Sequence, residues 1–186
     1  LKIELKMTVL GYSTQRVWLH WLSAAVIVWT LISGFYVACV DVSPWVAQWV
    51  AFLNVSLTTV FIPFFVWRLF IFAAHARDTS VRGLNFMEKP ALFAHTLIYL
   101  VISVVLVTGV LMMDRPIGVF GVVEIAQPLS DPELISRFFI IHVWACAVLS
   151  LLVVLHVGAV VVHELCGHRV LRRMSLCSIV RSERLE

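Results

Sequence analysis

The sequence predicts an all-α integral membrane four-helix bundle with both termini in the cytoplasm. Three observations predict it: apolar content, four apolar stretches of spanning length, and uneven placement of cations. Of 186 residues, 61% are apolar and 13% charged, and mean hydropathy is +0.99. A soluble domain cannot hide that much apolar surface, so lipid is the solvent for much of it. A bilayer core of roughly 30 Å takes about 20 helical residues per crossing. Four stretches meet that length, at about residues 17–40, 45–74, 90–113 and 138–162. They use most of the chain, so residues 1–186 read as a single transmembrane domain.

The first stretch follows Arg16 and ends near Ala38 and Val40, which loosely resembles a signal peptide. Signal-peptide apolar cores run only about 7–15 residues. This one is longer and carries His20 and Trp21, so it reads as helix 1. The second stretch ends at Arg68 and a basic segment, and the third begins at Pro90 just after Lys89. The fourth is followed by a basic tail. Twelve cations flank one side: Lys2, Lys6, Arg16, Arg68, Arg77, Arg82, Lys89, Arg169, Arg172, Arg173, Arg181 and Arg184. Only Arg115 and Arg137 lie on the other. Cytoplasmic loops carry the excess of Lys and Arg, which places the loop Asp114–Arg137 outside. The pI of 8.8 therefore reflects orientation. No basic-aromatic stripe or glycine-rich phosphate loop points to nucleic acid. Cys39, Cys146, Cys166 and Cys177 lack CxxC spacing and read as small hydrophobes, the last two in a reducing compartment.

Four of seven histidines fall within the predicted helices: His20, His95, His142 and His156. An ionisable group in lipid is costly, so each should face the bundle interior. His142 and His156 are fourteen residues apart. At 3.6 residues per turn they share one face of helix 4, separated by about 21 Å. That separation suits two haems stacked across one membrane. His20 opens helix 1 and His156 lies late in helix 4, so they reach similar depth and could clamp one haem iron. Gly34 follows His20, and Gly109 follows His95, again by fourteen residues. Both sit at the level of His142, where a missing side chain lets a flat macrocycle approach; close helix packing explains them equally well. His163 lies seven residues beyond His156 on nearly the same face and could donate to a quinone carbonyl. His95 is a candidate for a haem propionate, the quinone site or an interhelical bond. Arg16, Arg68 and Lys89 are candidate propionate partners. His75 and His168 belong to the solvated basic flanks.

The run Tyr12-Ser13-Thr14-Gln15-Arg16-Val17-Trp18-Leu19-His20-Trp21-Leu22 resembles the N-terminal signature of bacterial cytochrome b561. Ala94-His95-Thr96-Leu97-Ile98-Tyr99-Leu100, continuing to Gly109-Val110-Leu111-Met112-Met113, resembles that family's third helix. His142, Leu155-His156, His163 and Leu171-Arg172-Arg173-Met174 follow in the family's order. The resemblance implies a four-helix dihaem quinone oxidoreductase of the bacterial inner membrane, with haem b as cofactor and ubiquinone as substrate. A superoxide oxidase is among that family's activities. The resemblance further implies that His20 and His156 ligate the cytoplasmic-side haem and His142 the outer one. It places Arg115 where the family also has an arginine, a candidate for attracting the superoxide anion, although Asp114 beside it weakens that steering.

The sequence departs from the family at one ligand. The family has a histidine early in helix 2, fourteen residues before an arginine. Arg68 matches the arginine, and counting back lands on Asn54. An amide nitrogen has no free lone pair. The outer haem is then five-coordinate on His142, or takes Met112 or Met113 as sixth ligand, or is absent. Two functional readings share the haem: quinone-linked oxidation of superoxide, and a membrane adaptor relaying electrons between quinone and a periplasmic redox protein. A non-haem transporter or structural subunit is the reading of a different class. Transporters tend to show broken helices and inverted repeats, and neither appears here.

Overall fold

The structure is a computed structural model that describes residues 14–78 and 88–167. Four long helices follow one another: α1 (Thr14–Cys39), α2 (Pro44–Asp78), α3 (Glu88–Leu111) and α4 (Pro132–Leu165). Each is long and apolar enough to span a bilayer. A short hairpin, β1 (Ile117–Val119) with β2 (Val123–Ile125), sits between α3 and α4. In the bare protein Trp18, Phe70, Trp144 and Leu165 are each more than 60% exposed, as lipid-facing side chains must be. The chain is an all-α membrane bundle.

Local chemistry sets the helix ends. Ser43 caps α2, its hydroxyl accepting from Val46 N–H at 3.4 Å, with Pro44 at the first helical position. Asp131 caps α4, accepting from Glu133 N–H at 2.9 Å, again with proline next. That cap starts α4 at Pro132, six residues before the Phe138 start read from hydropathy. Hydropathy marks where lipid begins; the cap marks where the helix begins. Exposed Arg137 and Glu133 pair at 2.6 Å across one turn, which contributes about 0–1 kcal/mol at most.

Most hydroxyls within the described helices are tied to their own helix backbone. Ser23, Thr30, Ser33, Thr58, Thr59, Ser103, Thr108 and Ser150 each bond a carbonyl one turn earlier. Among the described residues no buried side-chain polar atom lacks a partner, as a lipid environment demands.

The core is a layer of Phe61, Phe65, Tyr99, Val101, Ile102 and Leu149. Three of these sit midway in the fourteen-residue spacings. Phe61 lies seven residues from Asn54 and from Arg68, Ile102 seven from His95 and from Gly109, and Leu149 seven from His142 and from His156. A packed apolar layer thus separates two polar levels. The helices contact one another as α1 with α2, α3 with α4, and more sparsely α2 with α3.

The hairpin is a feature that the loop reading missed. Its turn residues Phe120 and Gly121 both have positive φ, 49° and 71°, the signature of a primed hairpin turn. Val122 N–H closes it onto the Val119 carbonyl at 3.0 Å. Ser56 on α2, fully buried, pins it: its hydroxyl accepts from Phe120 N–H at 3.0 Å and donates to Gly118 C=O at 3.3 Å. Ser56→Ala leaves that amide without its acceptor, a cost of about 1–3 kcal/mol. A lower melting temperature and faster proteolysis within residues 117–125 are the expected results.

Candidate functional site

At the end where α1 and α3 begin and α2 and α4 finish, four polar side chains converge. Arg68 donates from Nη2 to His20 Nδ1 at 2.9 Å. Its guanidinium also lies over the Tyr99 ring, 5.2 Å from the centroid. The His95 and His156 rings meet edge to face at 5.3 Å. His20 lies within Coulombic range of both His95 and His156. Helices α1, α2, α3 and α4 thus each contribute one member. Arg16, half-buried, precedes His20 by one turn. His163 is exposed on the last turn of α4. The side chains of Lys89 and His75, and all of His168, lie outside the described residues.

The donor set at this level fits haem with one adjustment. Arginine only donates, so His20 Nδ1 accepts and the ring proton sits on Nε2. An iron ligand needs its lone pair toward the metal and its N–H elsewhere. Ligation by His20 would therefore move Arg68 off Nδ1. The displaced cation would stay near Tyr99 and could then pair with a haem propionate.

At the other level, Gly34, Asn54, Gly109 and His142 line one cavity of about 430 Å³. His142 Nδ1 lies 3.1 Å from Val105 C=O and 3.2 Å from Thr108 Oγ1. A carbonyl only accepts, so Nδ1 carries the proton and Nε2 presents a lone pair, the tautomer of a haem-ligating histidine. The donor set fits haem through His142. Cys146, one turn later on α4, donates its thiol proton to that Nε2 at 3.5 Å, so ligation through His142 would turn this thiol aside. Cys39, Cys146 and Cys166 are free thiols.

The two glycines serve different ends. A Cβ on Gly109 would stand 3.2 Å from His142 Cε1, so the missing side chain makes room for the imidazole itself. A Cβ on Gly34 meets nothing within 4 Å; this glycine widens the cavity. Asn54 faces that cavity and bonds Ser33 Oγ on α1 at 3.0 Å. Met112 and Met113 line it from the end of α3. Arg115 is exposed on the connection to the hairpin.

Sequence reasoning missed Val105 and Thr108, which orient His142, and Tyr99, which seats Arg68. Val105 acts through a carbonyl and carries no side-chain signal. Thr108 immediately precedes Gly109 and Tyr99 lies one turn after His95, positions already singled out, which was the available clue.

Four membrane helices with imidazoles at two depths, together with the family match over residues 11–175, make the chain a membrane b-type cytochrome, a haem electron-transfer protein held in the lipid bilayer. Residues 11–175 match the family model for prokaryotic cytochrome b561, and the chain belongs to that family. It is a multi-pass bacterial membrane protein. No curated protein matches it in sequence.

Proposed function

We propose that this cytochrome couples an electron donor at the outer face to the quinone pool, through haem b held at two levels of the bundle. The observation that carries this reading is the pairing of depths: His20 with His156 at one end, and His142, in a ligand-ready tautomer, at the other. Bound haem supplies one-electron carriage at each level. The chain supplies the rest. His20 and His156 would hold one haem iron, His95 packs against the His156 ring and would keep its orientation, and Arg68 would balance propionate charge. The termini face the cytoplasm, as the cation bias demands.

Quinone takes two electrons and two protons, so a one-electron carrier delivers in two steps. His163, seven residues beyond His156, is placed to donate to the quinone carbonyl. His163→Ala should slow quinone reduction about tenfold or more, the scale of one lost hydrogen bond to a charge-developing oxygen, and leave the haem spectrum intact. Rapid mixing of reduced protein with a soluble ubiquinone analogue checks it. Unchanged kinetics would remove His163 from the site.

Superoxide is the donor that Arg115 favours, losing one electron to become dioxygen. A second reading, a relay from a periplasmic redox protein, is favoured by the hairpin, whose Val122 is 85% exposed at its tip. Such an apolar tip suits docking by another protein. Superoxide generated in the medium, with the protein in liposomes, should reduce the haem, and Arg115→Glu should slow that step. Reduction by a soluble cytochrome alone would decide for the relay.

A further inference from the structure

The two walls of the outer cavity offer unequal chemistry. The α4 wall carries His142, whose Nε2 accepts only from the weak Cys146 thiol donor of the same wall. The opposite wall, from α1 and α2, is apolar apart from Thr30, Thr58, Thr59 and Asn54. The three threonine hydroxyls are spent on Val26, Asn54 and Val55 carbonyls at 2.7–2.9 Å. Asn54 differs. Its Oδ1 accepts from Ser33, itself buried, which leaves the amide NH2 of this cavity-lining residue with no protein partner among the described residues. That wall holds no imidazole, thiol or thioether. Cys146 shares the face of His142 on one helix, so it cannot stand across the iron from it. Met112 and Met113 directly follow α3, the helix packed on α4, and are not part of that α1–α2 wall.

We propose that the outer level binds haem through His142 alone and keeps the coordination position facing α2 open to a small neutral diatomic ligand, which Asn54 hydrogen-bonds. This rests on the reading of haem at His142. An amide is too weak a donor to close the position, because its nitrogen lone pair is delocalised. It is well suited to steady a ligand already there, since Ser33 fixes its orientation. Gly34 leaves the space that such a ligand and the macrocycle edge both need.

The test uses the whole purified protein, reduced, with carbon monoxide as probe. Haem per polypeptide is counted first. Two haems are expected, and carbon monoxide should shift the Soret band of about half the total, the His142 half. His142→Ala should abolish the shift. Asn54→His should keep two haems per chain and lose the shift, by closing the open position with an imidazole. Asn54→Leu should keep the shift but move the C–O stretching frequency, a change that mere packing does not produce. Two haems with no carbon monoxide response would overturn the open position while leaving haem at His142 standing. One haem per chain, unchanged in His142→Ala, would overturn both. A stretching frequency identical in Asn54→Leu would overturn the role of Asn54.

Discussion

Replacing His20 or His156 with alanine should remove one low-spin haem completely. These two side chains come from α1 and α4, helices whose contact is not among the main packing pairs. Little else in the protein would then hold the macrocycle at that depth. Loss of one imidazole leaves iron high-spin or releases it, and the sharp reduced α-band of that haem disappears. Each single variant should show the same loss, since the proposal has both imidazoles serve one iron. His95→Ala is the informative contrast: it removes the ring packed at 5.3 Å against His156 and should broaden the band while retaining haem. A full wild-type spectrum in both His20→Ala and His156→Ala would show that other residues ligate that haem.

Gly109→Val should empty the outer level and spare the inner one. Even one methyl group at position 109 would lie 3.2 Å from His142 Cε1 and 3.5 Å from Nδ1. Valine adds two more carbons and cannot be accommodated by a shift of a few tenths of an ångström. The imidazole must swing away, which breaks its bond to Val105 and the tautomer that the bond enforces. Gly34→Val separates this effect from simple crowding. Its Cβ has no protein atom within 4 Å, so His142 stays in place and only the cavity shrinks. Haem content, scored against the inner α-band as internal reference, should fall nearly to one per chain in Gly109→Val and only partly in Gly34→Val. Equal haem content in Gly109→Val and the unmodified protein would contradict the assignment.

The spans were legible in hydropathy, and the two depths were legible in one repeated interval. His20 to Gly34, Asn54 to Arg68, His95 to Gly109 and His142 to His156 are each fourteen residues. Helical geometry turns that interval into a shared face and a fixed separation, without any tertiary information. The midplane residues Phe61, Ile102 and Leu149 follow from the same arithmetic. What the sequence conceals is how each side chain is held. The tautomer of His142 depends on a main-chain carbonyl of another helix, and the Ser33–Asn54 bond joins residues twenty-one positions apart. The hairpin was concealed for a different reason. Its strands are three residues each, too short for an alternating pattern, and only Phe120-Gly121 between Val119 and Val122 marked the turn.

Oxidation of the reduced haem by ubiquinone in a single turnover tests the central claim most directly. The purified protein is reduced, freed of excess reductant, and mixed rapidly with a soluble ubiquinone analogue while the α-band is followed. The coupling proposed here predicts that the band is lost in proportion to quinone added, with two haems oxidised per quinone reduced. A band that stays reduced, at quinone in large excess and with haem content intact, would contradict it.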